Sequence, residues 1–419
     1  MRFLSALLSL ILVVSIVALA AVVLFLTDEP ALERATVFSP EQIERAKNLL
    51  RRHDPRKSVT GEPVRTLRLS EEELDLALNY LVSRFGPGSS RASLDEDGLA
   101  IEASIALPPN PFGRFVNLEG HLRARDGALV PEGIRVGQVP LPDWITTWLF
   151  AQAQTYLSQR EDYRVIADSV RSVNLSGTDV RVEYAWTADF PDRLRNAALT
   201  SEDRARLKAY QLRLAELSRA TGTPKAVPLP DVLIPLMRLA AERSVDGGAH
   251  LENRALLIVL ALQMGGRDIA RFIPEAKEWV RPARTRITLA GRADLAQHFV
   301  ISAALAALGG GPLADAIGVH KEVGDARSGS GFSFKDFAAN RAGTAFGRKA
   351  SDAGGGAASL QQSVIAGVVA NDLLPAMANL PEFMPYAEFA RRYGGVGAPA
   401  YMRTVEDIDR RVEALSLYE

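Results

Sequence analysis

The 419-residue chain contains no cysteine. Disulfides, thiolate metal centres, a cysteine nucleophile and a lipidated N-terminal cysteine are therefore excluded. It has no excess of charge either: 49 Lys and Arg stand against 50 Asp and Glu, interspersed along the chain, and leave a formal net charge of −1. Such a balance supplies no field for holding a polyanion, so no nucleic-acid partner is expected. Past residue 26 there is no second apolar run of membrane-spanning length, since the run from Ala255 to Met264 is too short. Nor is there a phosphate-binding loop: Gly354-Gly-Gly356 neither follows a strand pattern nor carries the required lysine, and no cofactor is expected. What remains is ordinary globular composition, 47% hydrophobic and 24% charged residues, on a chain long enough for two or three cores.

The first feature present is an unbroken apolar or small-residue stretch from Phe3 to Leu26, with Arg2 before it and Asp28, Glu29 and Pro30 after it. At about 1.5 Å per residue a helix of that length crosses a hydrocarbon core of about 30 Å. The apolar region of a cleavable signal is shorter, about 7 to 15 residues, so an uncleaved anchor over residues 1–27 is the expectation, with Ala18-Leu-Ala20 offering the rival cleavage site. The flanking charges place the N-terminus in the cytoplasm and the bulk of the chain across the inner membrane, in the periplasm.

Residues 28–190 read as an α+β domain. Ser39-Pro40 opens a helix to about Arg52. Ser70-Glu-Glu-Glu73 is a capping box for a helix to about Phe85. Period-2 alternation then predicts strands over Leu99 to Leu107, Phe115 to Arg125 and Ala128 to Val139, the last two joined at Asp126-Gly127. A helix from Leu141 to Tyr156 takes Trp144, Trp148, Leu149 and Leu157 as its apolar body, and strands follow over Val165 to Leu175 and Val180 to Thr187. With the anchor, the Leu69-Ser-Glu-Glu-Glu-Leu74 helix and Val136-Gly-Gln-Val-Pro-Leu-Pro142 before a helix, residues 67–187 weakly resemble the extracytoplasmic domains of the YpmS and tubular lipid-binding type. That resemblance implies a lipid-holding sheet; an ordinary α+β domain with a filled core carries the same pattern.

Residues 200–419 read as an all-α domain, alanine-rich and poor in β-branched residues. Helices are expected over about Thr200–Arg219, Val232–Arg243, Leu251–Met264, Ile269–Val280, Ala293–Leu308, Leu313–Ala326, Ser333–Gly347, Leu360–Leu374 and Tyr401–Leu415. Polar residues recur inside these otherwise apolar helices at helical spacing, where buried polar groups need a reason. Asp294, His298 and Ser302 are four apart, Glu322 and Asp325 three apart behind Lys321, and Asp336, Asn340, Gly343 and Gly347 share a face. The two glycines imply close approach of a neighbouring helix.

Three chemistries suit this cluster. His298, Lys321, Glu322, Asp325, Asp336 and Asn340 form a buried network that specifies packing, or a hydrolytic site with His298 as general base and Lys321 facing the developing anion. Alternatively His298 with Glu322, Asp325 and Asp336 ligates zinc, manganese or magnesium. The ordered set "D-x-x-x-H-F", "G-x-x-K-E-x-x-D" and "S-G-F-S-x-x-D-x-x-x-N-x-x-G-x-x-x-G" resembles the YfiM-type periplasmic lipoproteins and, more distantly, the VanZ-like membrane proteins. It departs from the former in lacking a lipobox cysteine and from the latter in its charge-interrupted helices. The resemblance implies a helical core and a cell-envelope setting rather than a reaction. The expected function is a single-pass, non-enzymatic envelope protein that binds lipid or another envelope component; the alternative is an envelope hydrolase or metal-dependent enzyme using His298 and its carboxylates.

Overall fold

A computed structural model describes residues 25–32, 64–85, 88–96, 98–108, 110–125, 128–159, 161–187, 190, 199–220, 226–244, 247–309 and 331–418. The described residues fall into two compact units, one up to residue 190 and one from residue 199. The first mixes sheet and helix. Among its described residues the second has helices and, as its named strands, one pair of two residues each.

In the first unit the sequence order is β1 (Leu26–Thr27), β2 (Val64–Ser70), α1 (Glu71–Phe85), β3 (Gly88–Leu94), β4 (Leu99–Ala106), β5 (Phe115–Arg125), β6 (Ala128–Val136), β7 (Val139–Pro140), α2 (Asp143–Ser158), α3 (Glu161–Ser169), β8 (Val170–Leu175) and β9 (Asp179–Ala185). Antiparallel pairing gives one sheet in the order β3-β4-β5-β6-β7, with β1 on β5, and a second in the order β2-β9-β8. A small core of Ala92, Leu94, Leu99 and Val180, flanked by Leu74 and Leu78 of α1, lies between them. The capping box forms as its spacing requires: Ser70 N–H donates to Glu73 Oε2 at 3.1 Å and Glu73 N–H to Ser70 Oγ at 3.3 Å. Helix α1 also covers the outer edge of the sheet. Its Glu71, Asp75 and Asn79, four apart, accept from the amides of Leu94, Ala92 and Ser90 at 2.8–3.0 Å. Those amides alternate along β3 and would otherwise be open to pairing with another chain.

The end of the N-terminal apolar stretch and the residues after it are bound into the sheet. Leu26 and Thr27 pair with Val116 and Phe115. Asn117 Nδ2 donates to Thr27 Oγ1 at 2.7 Å and its Oδ1 accepts from Ala31 N–H at 3.0 Å, while Leu32 is held through Ser104 and Ser89. Gly113, at φ +148°, lets this strand pass: a Cβ there would lie 2.7 Å from Leu26 Cβ. Leu26 and Thr27 therefore belong to the folded unit and not to the expected anchor, whose remaining residues before Phe25 lie outside the described ones. Among the described residues no helix is long and apolar enough to cross a membrane.

Two local expectations are corrected here. Val165 to Ser169 is the end of helix α3 rather than strand, closed by Ser169 Oγ donating to Ile166 C=O at 2.6 Å. Helix α2 does not use Trp144, Trp148 and Leu149 as its buried body: they are 72%, 56% and 44% exposed. The helix rests on its surroundings through Thr146, which is buried, with Phe150 and Leu157 half-buried. Trp144, Trp148 and Tyr156 lie on the opposite face by helical spacing, and Asp143 is the one charged residue of the sixteen.

In the second unit the order is α4 (Ser201–Ala220), β10 (Val227–Pro228), α5 (Leu229–Arg243), α6 (Ala249–Met264), β11 (Ile287–Thr288), α7 (Ala293–Gly309), α8 (Phe334–Ala350), α9 (Gly356–Ala366), the single turn α10 (Ala370–Leu373), α11 (Tyr386–Tyr393) and α12 (Pro399–Glu413). Strands β10 and β11 pair in parallel. The expected helix from Ile269 to Val280 is instead two short 3₁₀ turns, Ile269–Arg271 and Pro274–Glu278; Pro274 has no amide to continue the first and opens the second. The helix expected from Leu360 to Leu374 breaks at Gly367, φ +124°. The expected helices at Ser39–Arg52 and Leu313–Ala326 lie outside the described residues. One apolar core runs through the unit, and an aromatic group of Phe332, Phe334, Phe337, Phe389, Tyr393 and Tyr401 packs around the start of α8, with Phe332 stacked on Phe389 at 4.1 Å between centroids.

Candidate functional site

Helices α7 and α8 meet through glycine. A Cβ at Gly343 would lie 2.1 Å from Phe299 O, and one at Gly347 2.1 Å from Ala303 O, so each glycine takes the backbone of α7 directly against α8. The periodicity of four that places the glycines on the contact face also places Asp336 and Asn340 there, one and two turns earlier. From α7, His298 and Ser302 face them.

At that seam His298 Nδ1 is 3.0 Å from Asn340 Oδ1, and Ser302 Oγ donates to the same oxygen at 3.0 Å. An amide oxygen only accepts, so in this arrangement the His298 proton sits on Nδ1. Its Nε2 faces Asp336 Oδ2 at 3.7 Å, outside hydrogen-bond distance. Ser333 caps α8 by accepting from Asp336 N–H at 3.1 Å, which fixes the turn carrying the carboxylate. None of His298, Ser302, Asp336 and Asn340 is more than 9% exposed.

A second, more open layer adjoins them. Arg292 is bidentate to Asp294, Nε to Oδ1 at 3.1 Å and Nη2 to Oδ2 at 2.6 Å, and its Nη1 donates to Glu382 Oε2 at 2.5 Å. Its Nη2 also lies 3.8 Å from Asp336 Oδ1. Lys335 Nζ donates to the other oxygen of Glu382 at 2.6 Å. The hydrogen bond from Arg292 is the main cause holding the Asp294 carboxyl below its ordinary range. Burial works against ionised Glu382, but hydrogen bonds from Lys335 and Arg292 outweigh it and hold that carboxyl low as well.

Of the six expected site residues, His298, Asp336 and Asn340 come together. Lys321, Glu322 and Asp325 lie outside the described residues. Asp294, expected on the His298 face, turns to Arg292 instead, two residues before it. Among the described residues no three His, Asp or Glu side chains group as a set able to hold a metal ion. A carboxylate facing an imidazole has the ingredients of general base chemistry, but a base must reach a substrate, and these groups are closed into a helix seam. The arrangement is suited to fixing the register of two helices through a buried polar network.

A comparable network in the same unit was missed in the sequence. Glu252, 4% exposed, accepts from Tyr210 Oη at 2.6 Å, Arg206 Nε at 3.2 Å and Arg243 Nε at 3.1 Å. Burial, then the hydrogen bond to this carboxylate, pushes the Tyr210 phenol up. Next to it Asn253 Nδ2 donates to Ala350 and Ala357 C=O at 3.1 Å, tying α6 to the end of α8 and the start of α9, and its Oδ1 accepts from Gln361 Nε2 at 2.8 Å. The readable signal was Glu252-Asn253 at the head of an otherwise apolar helix. Comparison of the chain with protein-family models, with curated proteins and with solved structures gives no match.

Proposed function

We propose that this chain is a single-pass, envelope-facing membrane protein without enzymatic activity, whose α+β unit lies against the bilayer and contacts lipid through helix α2. The observation that carries this reading is the face of Trp144, Trp148 and Tyr156, 72%, 56% and 67% exposed on a helix with one charge. Large exposed aromatic surface of this kind marks an interaction site, and Trp and Tyr are the residues that favour the headgroup level of a membrane. The expected anchor supports the lipid surface as occupant. Its apolar stretch runs into β1 with no linker, because Leu26 is already paired in the sheet. A spanning helix there holds the unit at the membrane surface. Moving the three side chains from water into the headgroup boundary contributes on the order of a few kcal/mol. The closed His298, Asp336 and Asn340 seam is read as a packing device of the helical unit, in keeping with a binding rather than catalytic role.

The test is tryptophan fluorescence of the full chain in proteoliposomes containing lipids brominated near the headgroup. Quenching is expected, and replacing Trp144 and Trp148 by Phe removes most of the quenched component while Trp186 and Trp279 continue to emit. If the brominated lipids leave the emission of Trp144 and Trp148 unchanged, the lipid contact is refuted.

A further inference from the structure

The helical unit contains a cleft of about 650 Å³ that the proposed function does not use. Its walls come from the end of α6, the 3₁₀ turn at Asp268, the segment from Arg281 to Ile287 and the start of α7. Four arginines line it: Arg267, Arg281, Arg284 and Arg286. Arg281 is paired with Asp268 at 3.1 Å, and Asp294, the other acid of the lining, is taken by Arg292. Arg267, Arg284 and Arg286 make no ion pair or side-chain hydrogen bond among the described residues. Three exposed guanidinium groups thus share one concavity with neither of its two carboxylates paired to them.

A free amide faces the same space. Gln211 of α4 lines the same cleft; the residue is 8% exposed, and its amide, which makes no hydrogen bond within the protein among the described residues, is open to the cleft rather than sealed in the interior. The neighbouring Gln263 and Gln297, by contrast, donate to Ala283 and Met264 C=O. The floor of the cleft is apolar, with Leu262, Ile269 and Ile287. Its volume lies in the range of about 300–1,000 Å³ that holds organic ligands rather than a lone ion.

We infer that this cleft binds a phosphate ester, its phosphate held by Arg267, Arg284 and Arg286, its organic part on the apolar floor and a polar group at the Gln211 amide. Guanidinium groups recognise phosphate oxygens by paired, charge-assisted hydrogen bonds. The same chemistry is offered by a soluble phosphate ester and by a phospholipid headgroup. The inference stands on the cleft alone and does not depend on the lipid contact of α2.

The experiment is calorimetric titration of the full chain in uncharged detergent with glycerol 3-phosphate in one arm and phosphatidylglycerol in mixed micelles in the other, phosphatidylcholine serving as reference. Saturable binding in the first arm identifies a soluble ester as sufficient; binding in the second arm alone identifies the lipid headgroup. In either case Arg284→Gln with Arg286→Gln is expected to weaken binding at least tenfold, and Gln211→Leu to weaken it with little change in the unfolding midpoint. Arg271→Gln with Arg348→Gln, exposed arginines outside the cleft, is expected to leave it unchanged. Absence of saturable binding in both arms overturns the inference, as does an equal loss from the two arginine pairs, which would reduce it to general charge attraction.

Discussion

Gly343 and Gly347 allow the packing of the helical unit to be tested sharply, because two opposing effects act at one position. In an exposed helix, glycine to alanine is stabilising by about 1 kcal/mol. Here the added Cβ would stand 2.1 Å from a backbone oxygen of α7, whereas ordinary contact begins at 3.4 Å. Neither Phe299 O nor Ala303 O is the end of a flexible side chain, so the helices themselves must part by more than about 1 Å. Such a shift would loosen the Phe299–Phe346 edge contact, centroids 5.4 Å apart, and pull His298 and Ser302 away from Asn340. Overpacking costs about 1–3 kcal/mol and more when backbone must move, so after the propensity gain each single substitution is expected to destabilise by about 2 kcal/mol. For a unit of this size that lowers the unfolding midpoint by about 4–8 °C. The two clashes lie one turn apart and are relieved by the same displacement, so the double variant should lose less than the sum of the singles. Thermal and urea unfolding of the singles and the double would measure this. Variants that melt at or above the parent would refute the direct backbone contact between α7 and α8.

Other outcomes follow from the same geometry. Asn340→Ala should destabilise by about 1–3 kcal/mol, since it takes the shared acceptor from His298 and Ser302, and His298→Ala by less, since Ser302 still donates to Asn340 Oδ1, with a coupling of at least about 0.5 kcal/mol in a double-mutant cycle; simple additivity would separate the two residues. Asn253→Ala strips two buried carbonyls of their donor and should cost about 1–3 kcal/mol, and a variant as stable as the parent in urea would contradict that role. Asp294 and Glu382 have carboxyls held low, so their contribution is present above the ordinary carboxylate range of about 4 and is lost as pH falls through the depressed folded values. The stability gap between parent and Arg292→Met should therefore be level from about pH 7 to 5 and shrink below about pH 4; a gap that widens in acid would reverse the assigned sign.

What could be read from the sequence was whatever depends on neighbours in the chain. The Ser70–Glu73 box, the β5 and β6 strands and the seam of His298, Asn340 and Gly343 are all fixed by spacings of two, three or four residues, and those spacings survive folding. Tertiary context decided the rest. Strand β3, Gly-Ser-Ser-Arg-Ala-Ser-Leu, has little strand character of its own and is held by the acceptors of α1 and by β4. In α2 the helical period is plain in the sequence, but a helix apolar on most of its surface does not declare which side is covered, and Trp144 and Trp148 face outward. The helical face at Asp294 was legible too; its capture by Arg292, two residues away, was not. The arginines of the cleft come from both ends of a 20-residue excursion, Arg267 to Arg286, whose return is set by the pairing of Val227 with Ile287.

The lipid contact of α2 can be measured most directly by exploiting the absence of cysteine, which makes any introduced thiol unique. Gln152 lies between Trp148 and Tyr156 on the exposed face, and Arg403 is an exposed position on the polar side of α12. Each is replaced by Cys, spin-labelled, and studied in the full chain in proteoliposomes, comparing relaxation by oxygen, which concentrates in lipid, with relaxation by a nickel chelate, which stays in water. The account predicts a higher ratio of oxygen to nickel accessibility at position 152 than at position 403. A label at 152 as open to the nickel chelate as the one at 403 would contradict it.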